Sequence, residues 1–264
     1  MHLEAPHTRA RRWLGRARGA LLASSVWLST IGPTSAADTI ISARFTEPTT
    51  RYAHGVLGDN IEYGTLEITV QTQRSKQTQA TDAAQDHSVL TIRLPEDRVF
   101  EDLSPRLTDV DSDGKFEVVV VESQAQEGAQ LAIYDASGQK IAATPHIGTR
   151  FRWLAPIGAA DLDRDGHIEV AYIDRPHLAK TLRIWRFESE QLTEIATLPG
   201  LTNHRIGEDF ISGGIRECGS GPELIVASED WRNIFSVRYA NGWVKNQLGP
   251  FSPAAMDQHM ACSQ

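Results

Sequence analysis

Residues 109–121 read DVDSDGKFEVVVV, and residues 161–173 read DLDRDGHIEVAYI. Each string sets three aspartates at alternate positions, then a glycine, then a glutamate three residues on. In a tight loop that spacing gathers Asp109, Asp111 and Asp113 on one side, and Asp161, Asp163 and Asp165 likewise. Carboxylates crowded in this way repel one another unless a cation sits among them. A hard cation such as calcium takes six to eight oxygens at about 2.3–2.6 Å. Gly114 and Gly166 permit the sharp turn. The carbonyls of Lys115 and His167 and the side chains of Glu117 and Glu169 can close the two shells. Two calcium sites are therefore expected. An EF-hand starts the same way but needs a bidentate glutamate at its twelfth position and flanking helices. Val120 and Tyr172 stand there instead, inside runs of strand formers.

The residues that follow each glutamate indicate what must position these loops. Glu117 and Glu169 lie 52 residues apart. About 50 residues earlier, GDNIEYGTLEITV (58–70) sets Asp59, Gly64 and Glu67 in register. About 54 residues later, CGSGPELIVAS (218–228) sets Glu223 in register. Four units of this length follow one another, a period typical of solenoids, propellers and arrays. Each unit gives a short apolar strand after its glutamate: LEITV, EVVVV, EVAYI and ELIVA. An alternating strand comes next: VLTIRL (89–94), LAIYD (131–135), LRIWRF (182–187) and FSVRY (235–239). Length, β-branching and period-two alternation all read as β. Turns at DASGQ (135–139) and YANGW (239–243) lead to an outer strand, and Asn241-Gly242 is a hairpin signal. No sustained helical periodicity follows residue 37. The expected fold is all-β: a small propeller of four repeats and four blades, which leaves only short, protected edges. Residues 38–48 would complete a blade by pairing with the chain's other end. Residues 71–88, almost free of apolar side chains, read as a long hairpin loop.

The strings TDVDSDGKFEVVVVES and GAADLDRDGHIEVAYID resemble the FG-GAP/VCBS repeat, found in integrin-α propellers and many bacterial exported proteins. The resemblance implies that each acidic loop joins the first and second strands of a blade and binds calcium. The first and fourth units are degenerate relatives. Ile61 and Tyr63 replace carboxylates in the first. Ile215, Glu217 and Gly219, with Pro222 before the glutamate, stand in the fourth. Neither is expected to bind. A metal held twice in equivalent places points to a structural role.

The first 37 residues of the 264 read as an export signal: five arginines, an apolar stretch ALLASSVWLSTIG, and Ser35-Ala36-Ala37 before Asp38. Arg11-Arg12 leaves the Sec or twin-arginine route open. The apolar stretch is too short to span a bilayer, which needs about 20 residues. Residues 38–264 are then a single domain, with no membrane insertion once the signal is removed, in the periplasm or secreted. Removing the signal leaves 21 basic against 33 acidic residues, so nucleic acid is not an expected partner. Cys218 and Cys262, both in the exported part, are expected to pair in an oxidising compartment. A monomer is expected.

Function is less legible. The connections before each acidic loop carry arginine: Arg51, Arg106, Arg150 with Arg152, and Arg205. Tyr52 and Trp153 stand nearby, and His54 and His204 each precede an aspartate by five residues. In a propeller these connections gather at one mouth. Arg51, Tyr52, His54, Arg106, Arg152, Trp153, His204 and Arg205 are the candidate ligand-binding set, since arginine forks suit carboxylate, sulfate or phosphate. No G-x-S-x-G string, zinc spacing or phosphate loop appears. The expectation is a non-enzymatic interaction module with structural calcium, whose partner is a protein or an anionic glycan. The alternative is a small periplasmic enzyme acting on an anionic carbohydrate at this mouth.

Overall fold

The computed structural model describes residues 38–72 and 86–262. The expected export signal lies outside the described residues, as does most of the 71–88 loop. That loop does join two antiparallel strands, with Thr72 opposite Asp86.

The described chain is nearly all strand. The first repeat gives β1 (Thr39–Thr49), β2 (Glu62–Thr72) and β3 (Asp86–Arg93). The second gives β4 (Arg98–Phe100), β5 (Arg106–Thr108), β6 (Glu117–Gln124), β7 (Gly128–Tyr134) and β8 (Lys140–Ala143). The third gives β9 (Leu154–Ala160), β10 (Ile168–Asp174), β11 (Thr181–Glu188) and β12 (Gln191–Pro199). The fourth gives β13 (Leu201–Thr202), β14 (Gly214–Glu217), β15 (Pro222–Ser228), β16 (Asn233–Tyr239) and β17 (Trp243–Pro250). A helix, α1 (Pro253–Met260), follows.

Among the described residues these strands form three sheets, where four separate blades were expected. The third and fourth repeats each make their own sheet, but the first and second share one of eight strands. The cause is a broken inner strand. In the second repeat β4 pairs with the end of β6 and β5 with its start, with residues 101–105 looping out between them. The free edge of β4 meets β2 at Tyr63 and Phe100. The fourth repeat breaks its inner strand in the same way, between β13 and β14 on β15.

Alternation of side chains across each strand stacks the repeats. On β6 and β7, Val118, Val120, Ala132 and Tyr134 join Leu66, Ile68 and Val70 of the first repeat. The other face, Val119, Val121, Leu131 and Ile133, joins Leu154, Val170, Tyr172 and Phe187 of the third. Both faces are covered, so β6 and β7 are almost wholly buried and read as continuous apolar runs. Ala171, Ile173, Leu182 and Ile184 then meet Leu224, Val226 and Val237 of the fourth repeat. The remaining face of that repeat, Ile225, Ala227 and Ile234, is covered by Met256 of α1. The strands of the first and fourth repeats share no apolar cluster among the described residues. These two repeats meet through their connectors, where the Gly207 N–H donates to the Val56 carbonyl at 3.1 Å.

The helix was not expected. Its signal is local and short: Ser252 caps it by accepting from the Ala255 N–H at 3.1 Å, and Pro253 opens it. The expected pairing is present, a Cys218–Cys262 disulfide that ties the chain two residues beyond α1 to the β14–β15 turn. The register assigned to the first repeat does not hold. Glu67 lies within β2, opposite Arg44, and its carboxylate takes the Arg44 guanidinium at 2.6 Å rather than closing a loop.

Candidate metal centre

The acidic loops join β5 to β6 and β9 to β10, in each repeat linking the inner strand, whose second half is β5 in the second repeat, to the next strand. The two are built alike. Asp109 accepts from the Asp113 N–H (3.1 Å) and the Gly114 N–H (2.9 Å). Asp161 accepts from the Asp165 N–H (3.0 Å) and the Gly166 N–H (3.1 Å). Gly114 and Gly166 sit at φ 86° and 92°, where a side chain would be strained. The glutamate that opens the next strand reaches back across each loop. Glu117 Oε2 accepts from the Val110 N–H at 2.9 Å, and Glu169 Oε2 from the Leu162 N–H at 2.8 Å.

Carboxylate oxygens of Asp109, Asp111 and Glu117 lie within 4.8 Å of one another, as do those of Asp161, Asp163 and Glu169. Either set could hold a metal ion. The third aspartate stays outside both sets. Asp113 turns to the Lys115 ammonium at 3.1 Å, and Asp165 to Arg186 at 2.8 Å. Lys115 and His167 also donate their N–H groups to Asp113 and Asp165, at 2.8 and 3.0 Å.

The donor set fits a hard cation. Burial pushes the Glu117 carboxyl up to about 7; the Val110 N–H opposes this, and the charges of Asp111, Asp113 and Asp109 reinforce it. Glu169 is raised too, by burial first, despite Arg186. In the second loop Asp163 Oδ1 is buried with no hydrogen-bond partner, a costly state for a carboxylate oxygen unless a cation meets it.

Sequence reasoning missed Arg186. It stands on β11 directly opposite Glu169. Its guanidinium donates to Glu169 Oε1 at 3.0 Å, to Asp163, and pairs with Asp165 at 2.8 Å. At the corresponding end of β7 the first loop has no cation: Asp135 lines one open hollow with Asp113, Lys115 and Glu117. In the fourth repeat the glutamate faces two arginines. Glu223 is held by Arg216 at 2.8 Å and approached by Arg238 at 3.8 Å.

The connector residues are largely consumed by the fold. Arg51 is fixed on main-chain carbonyls of Arg98 (2.9 Å) and Pro95 (3.3 Å). Tyr52 is 1 % exposed, its hydroxyl accepts from the Phe151 N–H at 2.7 Å, and burial pushes its pKa up to about 12. Arg106 forks onto buried Asp102 at 2.5 and 3.0 Å. Arg152 donates to the carbonyl of its neighbour Phe151 at 3.5 Å. Trp153 is buried and donates from Nε1 to the Glu101 carbonyl at 2.8 Å. Arg205 lies over Trp231, 4.1 Å from the ring centre. The histidine–aspartate pairs read from spacing do not form. His54 Nδ1 bonds instead to fully buried Glu101 at 2.5 Å, and buried His204 bonds to His177 (3.0 Å) and the Glu208 carbonyl (2.9 Å). Of the expected arginines, Arg51 and Arg106 are tied to the fold, while Arg150, which lies over the Tyr52 and Phe151 rings, and Arg205 stay exposed.

Beside this mouth the buried Glu62 carboxyl is pushed up to about 9, by burial first and then by Glu101, Asp59 and Asp102. A carboxyl raised from 4.5 to about 9 holds its proton in the folded state while the unfolded chain has lost it. Folding stability should therefore fall as pH rises through that window, at up to about 1.4 kcal/mol per pH unit. Glu62→Gln should flatten the slope, read from urea midpoints across the same range. An unchanged slope would place the titration elsewhere.

No curated protein matches the chain. Among solved structures, one similar chain is the exotype rhamnogalacturonan lyase YesX, at 13 % identity and a TM-score of 0.36. That comparison covers 80 % of this chain, and the chain spans about half (48 %) of that protein. Residues 109–172, which run from the first acidic loop through the second and most of β10, match the family described as the FG-GAP-like repeat, the repeat that the two acidic strings resemble.

Proposed function

We propose that this is an exported, β-propeller-like repeat protein whose second and third repeats are each stabilised by a calcium ion, and that it serves as a non-catalytic interaction module. One observation carries the reading: two loops at equivalent places gather the same three carboxylates, and one of them buries an oxygen, Asp163 Oδ1, with no partner. Asp109, Asp111 and Glu117 would hold one ion, and Asp161, Asp163 and Glu169 the other. Bound calcium would neutralise the crowded charge and clamp the inner strand of each repeat to the next strand. The disulfide supports an oxidising compartment. No helix among the described residues is long and apolar enough to cross a membrane.

The test is thermal unfolding of the 38–264 protein in calcium, in chelator, and in magnesium. An ion that binds only the folded state adds about 2.7 kcal/mol at a hundredfold excess over Kd. The calcium midpoint should exceed the other two, and Asp111→Ala with Asp163→Ala should abolish the difference. Equal midpoints in calcium and chelator would reject the reading.

The two sites should not be equal. Arg186 holds three carboxylates of the second loop and competes for them with an ion. Arg186→Gln should tighten calcium at that loop roughly tenfold, about 1.4 kcal/mol, while leaving the first loop unchanged. A calcium titration of the variant checks this, and weaker binding would show that Arg186 supports the site.

A second reading, a small periplasmic enzyme acting on an anionic carbohydrate, is favoured by one feature of the mouth. Two histidines there line a single open pocket.

A further inference from the structure

Among the described residues the first repeat is one strand short. In each of the other three, a further strand lies outside the third: β8 on β7, β12 on β11 and β17 on β16. The first repeat runs from β1 through β2 to β3 and stops there, since β3 pairs with β2 alone. Residues 38–48 were expected to pair with the chain's other end. Instead β1 lies along β2, on the side away from β3.

The β3 edge, DHSVLTIR, also lacks the usual protection. Exposed sheet edges are commonly blunted by bulges, lysine or proline. The outer strands of the other repeats each pair through a register shift, and each carries such a residue: Lys140, Pro199, or Lys245 with Pro250. β3 pairs without a shift and has neither lysine nor proline. Val89, near its middle, is 58 % exposed.

One bond fixes the direction of its main-chain groups. The Leu94 N–H donates to the Gly64 carbonyl at 2.9 Å. In an antiparallel ladder, alternate residues turn N–H and C=O toward the same neighbour. Ile92, Leu90 and Ser88 therefore face β2, in register with Leu66, Ile68 and Val70. His87, Val89, Thr91 and Arg93 turn theirs outward, and no strand among the described residues meets them. The side chains of Leu90 and Ile92 pack against the cluster shared with the second repeat. Val89 and Thr91 project from the opposite face.

We propose that this edge pairs with the same edge of a second copy, so that the protein forms a dimer where a monomer was expected. The two β3 strands run antiparallel about a two-fold axis at Leu90. Only that register sets all the outward residues of one copy against outward residues of the other. His87 then stands opposite Arg93, Val89 opposite Thr91, Ser88 opposite Ile92, and Leu90 opposite Leu90. Cross-strand pairs of β-branched residues stabilise a ladder, and the exposed Val89 gains such a neighbour. Charge does not oppose the pairing, because the Arg93 guanidinium is already held by Glu47. A self-complementary patch used twice is the commonest geometry of a homodimer. The proposal goes beyond the calcium reading and does not depend on it, since β3 belongs to the first repeat, which carries neither acidic loop.

Sedimentation of the 38–264 protein from about 1 μM to about 1 mM, a range that brackets the affinity of a small interface, should show monomer passing to dimer. The result should be the same in calcium and in chelator, so this proposal and the calcium reading fail separately. Amide exchange should slow with protein concentration at Val89 and Thr91 and stay constant in β12 and β17. Thr91→Pro deletes one outward N–H on each copy and spares the β2 ladder. It should weaken the dimer about tenfold or more. Thr91→Val keeps the N–H and should keep the dimer. A monomer at every concentration would overturn the proposal and leave the edge to a strand of another protein. A dimer whose protection falls outside β3, or one that Thr91→Pro leaves intact, would overturn it as well. Where Thr91→Pro fails to fold, the wild-type exchange pattern decides.

Discussion

Replacing Trp153 by Ala should lower unfolding free energy by about 3–5 kcal/mol, the cost of emptying a large buried side chain. The residue was a candidate for stacking on a ligand, but it is 2 % exposed. It packs with residues of the second and third repeats and with Val56 of the first connector. Its Nε1 donates to the Glu101 carbonyl at 2.8 Å, and its ring meets the edge of His204 at 4.9 Å. One side chain therefore touches three of the connectors at the mouth. Trp153→Phe should cost less, about 1–2 kcal/mol, since it keeps most of the apolar area and orphans one carbonyl. Urea unfolding with an unchanged slope checks both values. A loss under about 1 kcal/mol for Trp153→Ala would return the residue to the ligand-contact role.

Removing the disulfide, as Cys218→Ser with Cys262→Ser, should cost a similar amount. The bond closes a sequence separation of 44 residues, worth about 4 kcal/mol on the chain-entropy model. It also holds α1 where Met256 covers Ile225, Ala227 and Ile234. Arg216, which donates to the His259 carbonyl at 2.7 Å, is a polar tie between helix and sheet. Without the bond the helix should fray first, which exposes the last face of the stack. Lower urea midpoints and new proteolytic cleavage just before Pro253 are the expected signs. If stability is unchanged and α1 stays protected, the apolar contact alone holds it.

Much of this architecture was legible because the repeat writes the same string twice. Alternate aspartates, a glycine and a strand-opening glutamate have a local meaning, and the structure places them in equivalent loops. The strands after them were legible because burial on both faces demands continuous apolar runs, as in EVVVV. Features set by pairing across the fold were not. Arg186 follows Glu169 by 17 residues, and only the β10–β11 register brings them together. The break that makes β4 and β5 depends on residues 101–105 leaving the sheet to meet the other connectors. Nothing in a three-residue string announces that. The arginines looked free because main-chain carbonyls, the partners of Arg51, have no sequence signature. The first repeat misled for a related reason: Glu67 matched by distance, yet it answers Arg44 on the neighbouring strand.

The central claim is that the two acidic loops hold calcium, and counting ions tests it most directly. Equilibrium calcium titration of the 38–264 protein should find two ions per chain, the second weaker because Arg186 shares its carboxylates. Asp111→Asn should remove the first ion and Asp163→Asn the second, each leaving the other in place. A count of zero, or a count unchanged in both variants, would contradict the account and leave the loops as acidic turns held by their own hydrogen bonds.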